Sequence, residues 1–362
     1  MLHNLALAQI TGIGVKTAKQ LISYIGSAEN VLLANKKKLV SVPGIGEQTA
    51  DNILQNKELA LKKAENILAT ATQKNTEILF YTHEKYPKRL KEFAESPLYL
   101  FHKGNTNLNT PRTVGIVGTR NASEYGKRIT EKIIEELAPY NPLIVSGLAY
   151  GIDIVAHRAA LKNNLSTVGI MGAGIDVIYP AAHKSTAEEM CANGGLLTEY
   201  SFGSQPDAPH FPERNRIIAG LSDALIVVET AEKGGTLITA EIAYSYNKEI
   251  YAVPGNLGVK TSTGSNLLIA KQKAQIFTSV DQIVNDLGWL FEKPSNYKQK
   301  DLSALSVKEI AIVTILEKYP EIQIDELSWR SEISISELAS TLLSMEFAGH
   351  IKMLPGKKVK LV

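Results

Sequence analysis

Six short runs decide the fold: Thr113-Val-Gly-Ile-Val-Gly118, Pro142-Leu-Ile-Val-Ser-Gly147, Ser166-Thr-Val-Gly-Ile-Met-Gly172, Gly195-Leu-Leu-Thr-Glu199, Ala224-Leu-Ile-Val-Val-Glu229 and Glu249-Ile-Tyr-Ala-Val-Pro-Gly255. Each is apolar without alternation and leads into a helical segment, the pattern of a strand covered on both faces. Strand and helix alternating in this way predict α/β architecture, a doubly wound parallel sheet of extended Rossmann-like type. Right-handed crossovers carry all strand-to-helix turns of such a sheet to one edge, so its glycine turns converge on one crevice. Upstream, Glu77-Ile-Leu-Phe-Tyr81 and Pro97-Leu-Tyr-Leu-Phe-His102 either add strands or cap the sheet.

Working outward, the first segment contains a repeat. Ile10-Thr-Gly-Ile-Gly-Val-Lys-Thr-Ala-Lys-Gln-Leu21 returns as Val42-Pro-Gly-Ile-Gly-Glu-Gln-Thr-Ala-Asp-Asn-Ile53, 32 positions later. Two copies imply two similar helical units. In each, Gly-x-Gly precedes a helix, an arrangement able to present first-turn amides to an anion. The pattern resembles a tandem helix-hairpin-helix. Lys16, Lys19 and Lys36-Lys-Lys38 are compatible with DNA phosphates. The same glycines also serve tight helix packing, and both readings stand. Beyond the sheet, residues 289–303 are polar and contain Pro294, which predicts a linker. Helices are expected around 306–318, 323–330 and 334–347, followed by a hairpin with a Pro355-Gly356 turn, the outline of a winged helix. The predicted domains are 1–75, helical; 76–288, Rossmann-like; and 304–362, winged helix.

The 362 residues suit two or three domains, and 44% hydrophobic with 21% charged residues is ordinary globular usage. No stretch approaches ~18 uninterrupted apolar residues, and the start lacks a basic leader, so a soluble, cytoplasmic protein without membrane partners is expected. The single cysteine, Cys191, leaves no intramolecular disulfide or multi-cysteine zinc site, and His-Glu-x-x-His is absent. Neither metal nor cofactor is expected. The net charge of +2 gives no warrant for a polyanion partner. Residues 1–75 carry 9 basic and 5 acidic side chains, 76–288 carry 20 and 22, and 304–362 carry 7 and 8. A polyanion site in the middle must therefore be a local pocket.

The turns at Gly118-Thr-Arg120, Ser146-Gly147, Gly172-Ala-Gly174 and Gly234-Gly235-Thr236 all fall at the predicted edge, where backbone amides suit phosphate. His210-Phe-Pro-Glu-Arg-Asn-Arg-Ile-Ile-Ala-Gly220 can bring Phe211, Arg214, Asn215 and Arg216 to it. Guanidiniums beside an aromatic suit a nucleotide chain, because phosphate takes the charge while a base stacks. Gly172-Ala-Gly-Ile-Asp-Val177 is only a partial dinucleotide fingerprint, with Val in the third small position, and no Gly-x-x-x-x-Gly-Lys-[Ser/Thr] exists. Gly-x-Ser-x-Gly is also missing and spacing assigns no His or Asp to Ser146, so nucleophilic catalysis lacks support. Cys191 reads as an inert helical thiol, His157 and His183 lack ligand partners at useful spacing, and Asp153 is expected to cap the helix carrying His157.

Four ordered motifs carry a family resemblance. They are Val117-Gly-Thr-Arg-Asn-Ala-Ser-Glu-Tyr-Gly126; Val145-Ser-Gly-Leu-Ala-Tyr-Gly-Ile-Asp153 with Ala156-His157; Phe211–Gly220; and Gly234-Gly-Thr-Leu-Ile-Thr-Ala-Glu241 followed by Ala252-Val-Pro-Gly255. Together they resemble the DNA-processing protein A (DprA/Smf) family. The resemblance implies a non-catalytic, usually dimeric protein that binds single-stranded DNA. It also implies protection of incoming DNA, loading of the RecA recombinase and relief of the block by single-strand-binding protein during natural transformation. Carried over, Arg120 and Phe211–Arg216 line the DNA pocket, with Gly235 and Thr236 nearby. Ala208 stands where some relatives have Lys, and Ala181-Ala182 follow Tyr179-Pro180 where relatives often carry charge; Lys184 is the expected compensation.

The rival is an enzyme. Gly234–Glu241 also resembles Pro-Gly-Gly-x-Gly-Thr-x-x-Glu of nucleoside-monophosphate phosphoribohydrolases, but Lys233 replaces the Pro and the second Gly-Thr spacing is lacking. Glu241 is expected to cap or pack its helix. Helix 335–347 contains no Lys or Arg and two Glu, which argues against major-groove reading and for a protein-interaction or dimer-supporting role of the last domain.

Overall fold

The computed structural model describes residues 1–289, 305–319, 321–354 and 356–361. The chain divides near residue 290 into two compact units. From residue 290 on, the expected linker lies outside the described residues, as does Pro355 of the expected turn.

The first unit begins with five helices, α1 (Leu2–Ala8), α2 (Val15–Ile25), α3 (Ala28–Leu33), α4 (Lys36–Val40) and α5 (Glu47–Gln73). The repeat is visible as structure. Gly14 and Gly46 are the N-caps of α2 and α5. Gln20 donates to the Pro43 carbonyl at 2.6 Å, and its counterpart Asn52 donates to the Thr11 carbonyl at 2.7 Å. Both pairs are related by the same 32-residue shift, so each hairpin locks the other. Three of the basic residues compatible with phosphate have protein partners. Lys16 pairs with Glu95 at 3.2 Å, Lys19 donates to Ser96 Oγ at 2.8 Å, and Lys36 holds Asp51 at 2.8 Å and Glu47 at 3.1 Å. Leu5, Leu21 and Ile53 of the hairpins share one apolar cluster with Phe80 and Phe101 of the sheet.

Nine strands follow: β1 (Glu77–Phe80), β2 (Tyr99–Gly104), β3 (Thr113–Val117), β4 (Leu143–Gly147), β5 (Thr167–Ile170), β6 (Gly194–Thr198), β7 (Ala224–Val227), β8 (Glu249–Ala252) and β9 (Gln275–Ile276). Their order is β1-β2-β6-β5-β4-β3-β7-β8-β9. From β6 to β9 the sheet is parallel, with Gly115 of β3 opposite both Val145 and Leu225. The two upstream runs form strands, an antiparallel edge on β6. Interleaved are α6 (Lys88–Lys91), α7 (Glu124–Leu137), α8 (Ile152–Lys162), α9 (Lys184–Ala192), α10 (His210–Leu221), α11 (Gly235–Ser245), α12 (Lys260–Ala270) and α13 (Val280–Asp286). Ile116 and Ile144 pack with Ile133 of α7 and Ile152 of α8, whereas Val145 and Leu225 pack with Ile217 of α10. Both faces are covered, which is why the runs do not alternate.

The second unit contains α14 (Val307–Lys318), α15 (Ile324–Ser331) and α16 (Ile335–Phe347), with a sheet of β10 (Ile322–Gln323), β11 (Ile351–Leu354) and β12 (Lys358–Leu361). Ser306 and Glu309 form a capping box that starts α14. Leu316, Leu327, Leu338 and Leu342 fill its core. The two glutamates of α16 are engaged, Glu337 with Lys308 and Glu346 with the Met353 amide. No described helix is long and apolar enough to cross a membrane.

Candidate nucleic-acid interface

The carboxyl ends of β3, β4 and β7 open onto a cavity of about 600 Å³. β3 lies between β4 and β7. Strand order changes direction there, the place where doubly wound sheets take ligands. The walls are Gly118, Thr119 and Arg120 after β3, Ala149 and Asp153 after β4, and Thr230, Ala231, Gly234, Gly235 and Thr236 around the start of α11. The remaining wall is one face of α10, where Phe211, Arg214, Asn215 and Ile218 recur at helical spacing.

Arg120 is exposed, and its guanidinium lies 5.4 Å from the Phe211 ring centroid. A cation over an aromatic face is attracted to it yet keeps its donors for a ligand. Opposite, α11 starts at Gly235 without a side-chain cap, leaving first-turn amides and the positive dipole end beside the cavity.

Arg214 has a different environment. It is 5% exposed, Nη1 donates to the Ile170 carbonyl at the end of β5, and Nε has no partner. Its guanidinium fills the volume that a Cβ at position 147 would need, so Gly147 is demanded by close approach. Burial pushes the Asp153 carboxyl up to about 6, against the opposing pull of Arg214, the Ser146 hydroxyl and the Ala149 amide. Burial likewise lowers the Arg214 guanidinium, and Asp153 acts to raise it. Asp153 therefore faces the cavity floor from the first turn of α8 instead of capping it; the N-cap is Gly151, with no side-chain bond.

Of the predicted site residues, Gly118, Arg120, Phe211, Arg214, Asn215, Gly235 and Thr236 come together in this lining. Gly172 lies under Phe211 in an adjoining recess. Arg216 does not join them. Two positions along a helix are about 200° apart in azimuth, so Arg216 leaves from the far side of α10 and pairs with Glu199 at 2.6 Å. Ser146 and Gly147 are buried below the floor, Ser146 donating to the Ile116 carbonyl. The Gly174 amide is spent on the Ser204 carbonyl at 2.9 Å, and Lys184 projects from α9 beside Glu188, outside the lining. Pro212 falls within the Phe211–Arg216 segment already expected at the pocket, whereas Thr230, Ala231 and Ile238 had not been singled out. Signals existed for Thr230, which directly follows the run ending at Glu229, and for Ile238, which lies within the Gly234–Glu241 motif.

Nearby titratable groups are structural. His157 is buried against the Thr167 hydroxyl at 2.7 Å, and burial holds it down near about 3, uncharged. His183 donates to the Leu148 carbonyl at 2.9 Å. Burial raises the Cys191 thiol, as an inert cysteine requires. Glu241 neither caps nor packs α11; it reaches outward to Lys273 at 2.6 Å and is absent from the cavity.

The family model described as DNA recombination-mediator protein A matches residues 77–288. A SAM-like helix-hairpin-helix tandem matches 5–56, and a DprA winged helix domain matches 298–357. Protein Smf of Escherichia coli strain K12 is 35% identical over 309 residues, 83% of this chain and 81% of that one. The X-ray structure of DNA processing protein A from Streptococcus pneumoniae aligns with a TM-score of 0.67 and 31% identity, covering 79% of this chain and 98% of that chain. A Helicobacter pylori DNA processing protein A, whose structure is described by its unique single-stranded DNA binding mode, aligns at 0.54 with 32% identity over 59% and 96%.

Fold and family matches together define an α/β DNA-processing protein with helix-hairpin-helix and winged-helix modules, whose doubly wound sheet carries a crevice at its switch point. The chain belongs to the DprA/Smf family of DNA recombination-mediator proteins.

Proposed function

We propose that this protein binds single-stranded DNA in the β3–β4–β7 crevice and acts without catalytic turnover as a recombination mediator. In this reading it is a cytoplasmic homodimer that shields incoming DNA and loads the RecA recombinase onto it during natural transformation, displacing the block by single-strand-binding protein. The observation that carries the reading is Arg120 lying free over Phe211 at the crevice mouth, opposite the uncapped start of α11. That arrangement offers one charged fork, one aromatic face and backbone amides, the set a flexible strand uses when its bases are splayed from the backbone. The likeness to the Helicobacter pylori protein supports the choice of ligand.

The test is RecA filament formation on single-stranded DNA already coated with single-strand-binding protein. Adding this chain should shorten the lag, and Arg120→Ala should abolish the effect. An unchanged lag with the unmodified protein would refute the mediator role.

A further inference from the structure

The charged side chains among the crevice-lining residues are Arg120, Arg214 and Asp153. A carboxylate is an unexpected member of that set, and Asp153 is 6% exposed. Its place is fixed by the backbone. The Ile152 amide donates to the Thr119 carbonyl at 3.2 Å. Gly151 has a φ of 78°, and a Cβ there would collide with the main chain of Thr119 and Arg120. A Cβ on Gly118 would strike Ile152, which is fully buried. The first turn of α8 is therefore clamped to the loop that carries Arg120, and Asp153 cannot retreat when a strand enters. The groups around it are cationic or neutral. Burial pushes the carboxyl up to about 6, while Arg214 from α10, the Ser146 hydroxyl of β4, the Ala149 amide and Arg120 pull the other way. On α8 itself, burial holds His157 uncharged. His183 is tied to the Leu148 carbonyl. On α7, which packs along α8, Glu124 and Lys127 pair with each other at 2.7 Å, and α11 meets the cavity with Thr236 and Thr239.

Resting on the DNA-binding reading above, we propose that Asp153 couples strand binding to proton uptake: the ionised carboxylate opposes a phosphate drawn to the two arginines, and the crevice takes up a proton at Asp153 as the strand enters. Two guanidiniums against one carboxylate leave the lining a single net positive charge, and protonation of Asp153 doubles it. A phosphate nearby penalises the ionised carboxylate, so by linkage the protonated crevice holds the strand more tightly. Below about pH 6 the free crevice is already protonated and binding is tightest. As pH rises the proton must be drawn from solvent, and affinity falls until the bound form is ionised as well. At neutral pH Asp153 therefore subtracts from affinity, which suits a site that must give its strand up to another protein.

The test measures binding of a fluorescent thymidine oligomer from about pH 5.5 to about pH 8 at constant salt, for the full-length protein, Asp153→Asn, His210→Gln and Arg120→Ala. Neither thymine nor the phosphodiester changes charge in this interval. The unmodified protein should bind at least ~5-fold more tightly at the acid end than at the alkaline end. Asp153→Asn, neutral throughout, should bind more tightly than the unmodified protein at the alkaline end and lose most of the slope. His210, whose Nδ1 lies 3.2 Å from the Gly172 carbonyl at the start of α10, is of a residue type that changes charge in this interval, and His210→Gln should keep the slope. Calorimetry in buffers of differing ionisation enthalpy should show proton uptake that Asp153→Asn removes. Equal slopes with and without Asp153, a slope that vanishes in His210→Gln, or weaker alkaline binding by Asp153→Asn would overturn the coupling while weak binding by Arg120→Ala keeps the crevice intact. If Arg120→Ala binds normally at every pH, the DNA-binding assignment of the crevice fails, and the coupling with it.

Discussion

Replacing Arg120 with Ala isolates the one guanidinium that the fold leaves exposed at the crevice. The side chain is exposed and its described protein contact is the Phe211 ring, so its removal uncovers no buried group. Thermal stability should hold within about 0.5 kcal/mol. Binding is another matter. A lost charge-assisted phosphate bond is worth about 1.5–3 kcal/mol, or roughly 10- to 150-fold in Kd at about 1.4 kcal/mol per decade. One phosphate contact fewer should also lower the salt slope, log Kobs against log[KCl], by about 0.7. Arg120→Lys keeps the charge without the planar fork and should fall between. Fluorescence anisotropy with a thymidine oligomer over about 50–300 mM KCl reads both quantities. If neither Kd nor slope changes, Arg120 does not touch phosphate and the geometry has been misjudged.

Other consequences separate the remaining charges. Arg216→Ala should leave the Glu199 carboxylate enclosed without its partner and cost about 3 kcal/mol, read as a fall in Tm of roughly 6–10 °C, while DNA affinity changes less than for Arg120→Ala. Asp153 has a folded pKa of about 6, above its ordinary 3.8, so its ionisation opposes folding; that penalty is complete above about pH 6 and relieved as pH falls toward 4. Comparing Asp153→Asn with the unmodified protein, the stability difference should move in the variant's favour by at most about 3 kcal/mol between pH 4 and pH 7, and a pH-independent difference would contradict the shift. Gln20→Ala and Asn52→Ala each remove one bond between the hairpins and should each cost about 1 kcal/mol by denaturant titration. A cost at only one of the two would show that the lock is not reciprocal.

The strands were legible because burial on both faces writes a short unbroken apolar run, too brief for a helix and rich in β-branched residues, as Ala224–Val227 shows between two helical layers. The repeat near the amino end and the three helices of the last unit were legible for a similar reason, their spacing being local. What the sequence concealed was direction. Arg120, Arg214 and Arg216 were expected in a single electropositive trough, yet one is exposed, one lines the crevice while almost wholly buried, and one is paired on the opposite side of α10. Helix azimuth depends on where a helix starts and which face the sheet claims, and neither is written in a polar stretch such as Glu213–Arg216. Lys16 and Lys19 were hidden differently: Glu95 and Ser96 are more than 70 residues away, so charge near a glycine hairpin looked available when tertiary contacts had used it. The charged groups of the crevice lining are Arg120, Arg214 and Asp153, with the first-turn amides of α11 beside them.

Ultraviolet cross-linking of a thymidine oligomer to the full-length protein, followed by peptide mass spectrometry, addresses the location of the strand without altering any residue. Adducts should concentrate on the peptides containing Gly118–Arg120 and Phe211–Asn215. Adducts confined to residues 1–56 or 305–361, with the crevice peptides unmodified, would contradict the assignment of the sheet edge as the DNA site.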